Sequence, residues 1–139
     1  MFDKIMVPID LAHVSRMQKA VDMAADLAKV YKADVCYVGV TSAPPSAVAH
    51  TPEEYRSKLD ELARKQSTAH GQRGSAHVVI SHDPVATMDD DLVQAVDEVG
   101  ADLVVMATHV PNAGDLVFAS NGGNLARHTN VSVCLVRAA

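Results

Sequence analysis

The feature that most constrains the fold of this chain is a regular alternation between short apolar segments and longer amphipathic ones. The short segments have the length and β-branched content of buried strands, and the longer ones carry apolar residues at helical spacing. The predicted strands are Lys4–Ile9, Asp34–Val40, Ser75–Ser81, Ala101–Thr108 and Val131–Arg137. The predicted helices are Ser15–Lys32, Thr51–His70, Pro84–Val99 and Ser120–His128. The alternation predicts an α/β fold with a parallel sheet, right-handed crossovers and helices on both faces.

Three of the predicted helices begin with capping signals. Thr51 is a predicted N-cap, because Pro52 suits the first helical position and Glu54 completes a capping box. Asp83 precedes another proline and predicts the same arrangement. Ser15 is the predicted N-cap of the first helix.

The composition favours one domain with an aliphatic core. The chain has 139 residues, the length of one ordinary domain, and we assign residues 1–139 to it. Hydrophobic residues make up 48% of the chain, yet it contains two Phe, three Tyr and no Trp. Such a composition suits parallel strands that are buried on both faces.

Charge, hydropathy and cysteine content disfavour several classes of protein. A formal net charge of -5 and the lack of a Lys/Arg run argue against a nucleic-acid partner. No apolar stretch has transmembrane length, and the first residues do not resemble a secretory leader. Cys36 and Cys134 lie in strand-like segments, where we expect two buried free thiols rather than a disulfide or a metal site. We therefore expect a cytoplasmic protein that does not insert into membranes.

The first candidate ligand segment is Pro8–Asp10, because open parallel sheets bind ligands beyond the carboxyl ends of their strands. Asp10 could accept a hydrogen bond from a ribose hydroxyl or an adenine amine, or hold Mg²⁺. It could equally be an exposed loop acid or the cap of a nearby turn. The residues alone leave these alternatives open.

The second candidate segment is the loop His109–Ser120, which is the predicted working surface. It ends in Ser120-Asn121-Gly122-Gly123 at a helix start, where backbone N–H groups favour an anion and glycines allow close approach. Ser120 could also be only a helix cap, and His109 could donate to phosphate, act as an acid or base, or do neither. The same alternatives stay open for His13, His82 and His128.

Motifs with a specific chemistry are absent from the sequence. It contains no G-x-S-x-G elbow, Walker A motif, G-x-G-x-x-G fingerprint or zinc-type histidine pair. We therefore predict no catalytic residue, and no metal site beyond a nucleotide-bound Mg²⁺ near Asp10.

Several segments together resemble those of universal stress proteins. Lys4–Asp10 reads KIMVPID and is similar to the first strand of that family, which ends in V-P-x-D. Ala101–His109 resembles the family's A-D-L-I-V-x-G-x-H strand, while Ser120–His128 and Val131–Val136 resemble its last helix and strand. The order and spacing of elements agree over essentially the whole chain. Residues 108–112 and 119–121 are most similar to the F/G-type branch, which carries S-H-R-P-D and G-S-N there.

The resemblance implies a single open, doubly wound parallel sheet of five strands in the order 3-2-1-4-5, with four helices. It also implies a cytoplasmic homodimer, paired through Val131–Val136, that regulates the stress response with bound ATP, AMP or ADP, with or without Mg²⁺. In that family the acid at Asp10 approaches the ribose and metal, and the backbone at Val40 contacts adenine. The nucleotide-binding residues implied in this way are Pro8, Ile9, Asp10, Val40, Ala107, His109, Val110, Pro111, Asn112, Ala119, Ser120 and Asn121.

The phosphate loop departs from the family pattern G-x2-G-x9-G-[S/T]. Ala107, Val110 and Ala119 stand in place of its three glycines, whereas Ser120 keeps the final hydroxyl. The chain has no Lys or Arg between residues 108 and 124. Hydrogen bonds to phosphate are weaker without an ionised donor, so we expect a reduced affinity.

Three functions remain open at this stage. The first is a nucleotide-binding stress regulator, which could also contact an unidentified protein partner. The second is an interaction or dimerisation module of the same fold that has lost the nucleotide, as Val110 and Ala119 suggest. The third is an enzyme that uses His109 with Asp10, although nothing orients a water or a nucleophile. We expect no enzyme, with at most slow ATP hydrolysis or autophosphorylation.

Overall fold

Five parallel strands form one sheet in the computed structural model, which describes residues 1–108 and 121–137. The strands are β1 (Lys4–Pro8), β2 (Asp34–Thr41), β3 (Gly74–Ile80), β4 (Leu103–Thr108) and β5 (Ser132–Arg137). The helices are α1 (Gln18–Tyr31), α2 (Pro52–His70), α3 (Pro84–Val99) and α4 (Asn121–His128), with a 3₁₀ segment at Leu11–Met17. The strand order is β3-β2-β1-β4-β5, and every neighbouring pair is parallel. The predicted fold class and strand order are confirmed.

Helices cover both faces of the sheet, which explains the continuous apolar character of its central strands. α1 packs on β1, β4 and β5, and α2 packs on β2 and β3. α3 packs on β1, β2 and β3 and contacts α4, so these two helices cover the opposite face, as right-handed crossovers require. Ile5, Met6, Val104 and Val105 in β1 and β4 have no exposed surface. The core is therefore mainly aliphatic, as the composition indicates.

Two of the predicted helix caps are confirmed. Thr51 Oγ1 accepts a hydrogen bond from the backbone N–H of Glu54 at 3.1 Å. Asp83 Oδ1 accepts one from the backbone N–H of Ala86 at 3.4 Å. The Glu54 carboxylate accepts from the backbone N–H of His50 at 3.0 Å, so the reciprocal bond of the capping box forms one residue earlier than expected.

The predicted start of the first helix is wrong. Ser15 is not an N-cap, because it lies inside the 3₁₀ segment Leu11–Met17 and α1 begins at Gln18. The 3₁₀ segment is capped by Asp10, whose Oδ1 accepts a hydrogen bond from the backbone N–H of Ala12 at 3.0 Å. Since this acceptor lies directly after β1, the chain turns there and not at Ser15.

The two cysteines are free but differ in environment. Cys36 in β2 is buried, as predicted, whereas Cys134 in β5 is only partly buried. The prediction of a second buried thiol is therefore wrong. β5 is an edge strand that pairs only with β4, and the Cys134 Sγ lies 3.6 Å from the Sδ of Met23 in α1.

Gly39 in β2 lies directly against the ring of Tyr55 in α2. A Cβ at position 39 would lie 2.5 Å from the tyrosine hydroxyl oxygen and 2.6 Å from its Cε1. Tyr55 is only 5% exposed, so a close-packed core surrounds it. The missing side chain at Gly39 therefore sets how closely α2 approaches the carboxyl end of β2.

Replacing Gly39 with alanine should lower the free energy of unfolding by about 1–3 kcal/mol, the usual cost of overpacking a core. The matched control is Gly123→Ala in α4, where no atom of the described residues, apart from the adjacent residues and the backbone of α4 itself, lies within 4 Å of the added Cβ. That change should be neutral or stabilising, because alanine favours a helix over glycine by up to about 1 kcal/mol. Urea denaturation measures both variants, and equal effects would contradict the assignment of Gly39 as a contact site.

Candidate functional site

The candidate site lies at the carboxyl edge of the sheet, at the centre of the strand order. β1 has β2 on one side and β4 on the other, so the connections that follow β1 and β4 run in opposite directions. This divergence leaves a crevice, where open α/β sheets bind ligands. The backbone N–H of Ile9 donates to the carbonyl of Val38 at 2.7 Å, which continues the pairing just beyond β1. Asp10 is the next residue and the first to leave the sheet.

Asp10 is held by two hydrogen bonds from its own chain. Its Oδ1 accepts from the backbone N–H of Ala12 at 3.0 Å, and its Oδ2 accepts from Nδ1 of His13 at 2.8 Å. The side chain is 12% exposed. The carboxylate is therefore oriented, yet each oxygen retains acceptor capacity for a further group. The expected contact of Asp10 with a ribose or a metal stays a prediction.

His13 is the histidine that the structure bonds to Asp10. Its backbone, at φ -135° and ψ 36°, interrupts the 3₁₀ segment. Because an ionised carboxylate only accepts hydrogen bonds, Nδ1 carries the proton, and Nε2 of the neutral ring is an acceptor. Nε2 has no hydrogen-bond partner among residues 1–108 and 121–137, and the side chain is 34% exposed. An acid followed three residues later by histidine, directly after a buried strand, is the sequence signal for this pair.

Tyr55 of α2 also belongs to this neighbourhood, although it is not among the predicted site residues. Burial raises the pKa of its hydroxyl well above the ordinary tyrosine value, and the negative charge of Asp10 raises it further. The hydroxyl therefore stays protonated at neutral pH. Tyr55 is therefore near enough to Asp10 for the charge of the carboxylate to act on its hydroxyl group.

Four other predicted binding residues lie on the strands or, in the case of Ile9, just beyond one. Pro8, Ile9 and Ala107 are buried, so their side chains belong to the core and only their backbone groups could meet a ligand. Val40 is partly buried and pairs with Val79 of β3. Their predicted contacts with a nucleotide stay predictions.

The rest of the predicted site belongs to the phosphate loop. The predicted residues that lie outside the described part of the chain are His109, Val110, Pro111, Asn112, Ala119 and Ser120. Asn121 is the first residue of α4.

His82 and His128, whose roles the sequence also leaves open, do not bond to Asp10 in the structure. His82 is exposed just before α3, and His128 is exposed in the last turn of α4, which leads to the amino end of β5. Within residues 1–108 and 121–137, no three His, Cys, Asp or Glu side chains come together as metal ligands. None of the helices described in those ranges is both long enough and apolar enough to cross a membrane.

The strand order defines a doubly wound α/β protein, a fold class that binds ligands at the carboxyl edge of its sheet, where Asp10 lies. The chain belongs to the universal stress protein family, whose family model matches residues 1–137. The resemblance noted in the sequence is thereby confirmed at the level of the family.

Solved structures of universal stress proteins share this fold. One, in complex with cAMP, is 22% identical, has a TM-score of 0.70, and is matched over 99% of each chain. Another, from Archaeoglobus fulgidus in complex with dAMP, is 20% identical over 96% of each chain, with a TM-score of 0.66. A family member from Arabidopsis thaliana with AMP bound is 15% identical, with a TM-score of 0.64, over 97% of this chain and 90% of that one.

Removing the Asp10 carboxylate should destabilise the protein in the absence of any ligand. Asp10→Ala removes the cap on Ala12 and the bond to His13, so we expect a loss of about 1–2 kcal/mol in the free energy of unfolding. Asp83→Ala is the matched control and should cost less, because the cap that it removes is longer, at 3.4 Å. Chemical denaturation measures both losses. A cost for Asp10→Ala no larger than that for Asp83→Ala would show that the Asp10 hydrogen bonds contribute little.

Proposed function

We propose that this protein binds an adenine nucleotide at the carboxyl edge of its sheet and acts as a regulator in the stress response. The observation that carries the proposal is the oriented carboxylate of Asp10 at the switch point, with Val40 following on the neighbouring strand. A carboxylate with remaining acceptor capacity suits the hydroxyl groups of a ribose. The adenine class is supported by three family members of the same fold that were solved with cAMP, dAMP and AMP.

The nucleotide that we propose is ATP with Mg²⁺, with ADP and AMP bound through the same base and sugar contacts. Mg²⁺ usually takes one or two carboxylates together with phosphate oxygens, and the Asp10 carboxylate fits that donor set. The ion would neutralise phosphate charge when bound. This matters here because the chain has no Lys or Arg between residues 108 and 124.

We further propose a cytoplasmic homodimer of the F/G-type branch that contacts a protein partner and is not an enzyme. Leu135 on the edge strand β5 is 47% exposed, and apolar edge strands favour pairing. The free thiols of Cys36 and Cys134 agree with a reducing compartment. No catalytic residue is assigned, so any ATP hydrolysis or autophosphorylation would be slow.

A second candidate function is an interaction module that has lost the nucleotide. It is favoured by Val110 and Ala119 in place of loop glycines, and by the lack of a basic residue in that loop. Such a module would keep the fold and the edge strand but would leave the crevice without a nucleotide.

Isothermal titration calorimetry distinguishes the two candidates. We expect saturable binding of AMP and of ATP with Mg²⁺, with dissociation constants of roughly micromolar to millimolar size. Chelating Mg²⁺ should weaken ATP binding, because the phosphates then lose their counter-charge, and should leave AMP binding unchanged. GMP is the control for recognition of the base. No heat from any adenine nucleotide at millimolar concentration, with a folded protein by circular dichroism, would favour the interaction module.

Sedimentation velocity tests the homodimer. The wild-type protein should sediment as a dimer at micromolar concentration, and Leu135→Lys should shift it to monomer because a charge would enter the β5 interface. Ile80→Lys is the matched control, since Ile80 is an exposed residue on the opposite edge strand β3. A monomeric wild type, or equal dissociation by both substitutions, would contradict pairing through β5.

A further inference from the structure

We propose that His13, held in place by Asp10, supplies the hydrogen-bond acceptor for a ribose hydroxyl of the bound nucleotide. For that one hydroxyl, Asp10 is a positioning residue that acts through the imidazole. The inference rests on the adenine-nucleotide function proposed above and deepens it. It assigns the sugar contact to a residue that the family resemblance does not imply.

The first step concerns the hydrogen bonds that the Asp10 carboxylate already accepts. One oxygen accepts the N–H of Ala12, and the other accepts Nδ1–H of His13 at 2.8 Å. The acid is 12% exposed, whereas the imidazole is 34% exposed. The imidazole is therefore more accessible to a ligand than the carboxylate.

The second step is the tautomer. Donation from Nδ1 to the carboxylate leaves Nε2 of the neutral ring as an acceptor with no partner among the described residues. A carboxylate that fixes one imidazole nitrogen in this way also fixes the tautomer and the orientation of the ring, as in metal-bound histidines. Nε2 is therefore prepared to accept a hydroxyl proton in a hydrogen bond.

The third step is the direction of the neighbouring side chains. Leu11 and Val14 line a groove of about 220 Å³ against Leu62 of α2, and Met17 is buried. His13 does not line that groove and is bonded to Asp10 at the edge of the sheet instead. The apolar residues of the 3₁₀ segment therefore pack against the protein, whereas His13 stays bonded to Asp10 at the carboxyl edge of the sheet.

The chain offers a second carboxylate–imidazole pair as a control. His77 in β3 bonds to Glu98 in α3 at 2.8 Å, and its side chain is 32% exposed. The bond length and the exposure of the imidazole match those of the His13–Asp10 pair, although His77 bonds through Nε2 and Glu98 is 41% exposed. His77 lies on an edge strand away from the switch point. A substitution there changes a similar bond without reaching the proposed sugar contact.

The test compares nucleotides and variants in calorimetry at about pH 8, above the ordinary imidazole pKa. The ligands are AMP, 2′-deoxy-AMP and 3′-deoxy-AMP. His13→Asn can keep a donor at the position of Nδ1 but lacks an acceptor at Nε2, whereas His13→Gln can place an amide oxygen near Nε2. His77→Asn is the control.

We expect the wild type to bind AMP about tenfold more tightly than the deoxy analogue that lacks the contacted hydroxyl. His13→Asn should lose this preference, His13→Gln should recover part of it, and His77→Asn should retain it. If AMP binds but His13→Asn keeps the full preference, the inference is overturned and the proposed function stands. If the folded wild type binds no adenine nucleotide, both fail.

Nitrogen NMR of the imidazole gives a readout that a merely structural role would not change. The His13 ring should show Nδ1 protonated and Nε2 unprotonated, and AMP should shift Nε2 much more than Nδ1. Asp10→Asn should shift the His13 tautomer towards Nε2–H and remove the preference for the hydroxyl, because one amide oxygen cannot serve both Ala12 and His13. An Nε2 signal unchanged by saturating AMP would refute the contact.

Discussion

The burial of β1 on every side is the constraint on which the site depends. β1 has a strand on each edge and helices on both faces, so Ile5, Met6 and Val7 have almost no contact with water. An unpaired polar side chain within this strand would lose its hydration without compensation. Carboxylates therefore lie at the two ends of β1. Asp102 accepts the backbone N–H groups that begin it, and Asp10 follows its carboxyl end.

The two ends of β1 differ in what surrounds the carboxylate. At the amino end Asp102 accepts from the backbone N–H groups of Asp3 and Lys4, at 2.8 and 3.1 Å, and joins β4 to β1. At the carboxyl end Asp10 shares its oxygens between a backbone N–H and an imidazole whose other nitrogen has no described partner. The first arrangement completes a structural contact. The second leaves acceptor capacity at the place where this fold class binds ligands.

The sequence predicted well the features that depend on burial patterns and short-range bonds. The five strands follow from apolar segments, and Thr51 and Asp83 cap helices because their partners are only three residues away. The strand order came from the family resemblance, since periodicity alone does not rank strands across a sheet. Ser15 failed as a cap because Asp10 provides an acceptor earlier in the chain.

The parts of the site that were not predicted from the sequence depend on backbone angles and tertiary packing. The spacing of Asp10 and His13 is compatible with a contact, but the contact also requires the non-helical backbone angles at His13, which the spacing does not specify. Tyr55 approaches Asp10 only because α2 packs closely on β2, and Cys134 is partly exposed only because β5 is an edge. Such features can be identified only from the tertiary structure.

The contact between Gly39 and Tyr55 has a consequence for how this family member can diverge. The ring occupies the volume that a Cβ at position 39 would need, so the two positions share one fixed space. A larger residue at 39 is compatible with this helix packing only when position 55 carries a smaller side chain. A change of side-chain size at either position therefore requires a compensating change at the other. Because Val40 follows Gly39 directly, this shared volume also limits how far the rim of the crevice can change shape.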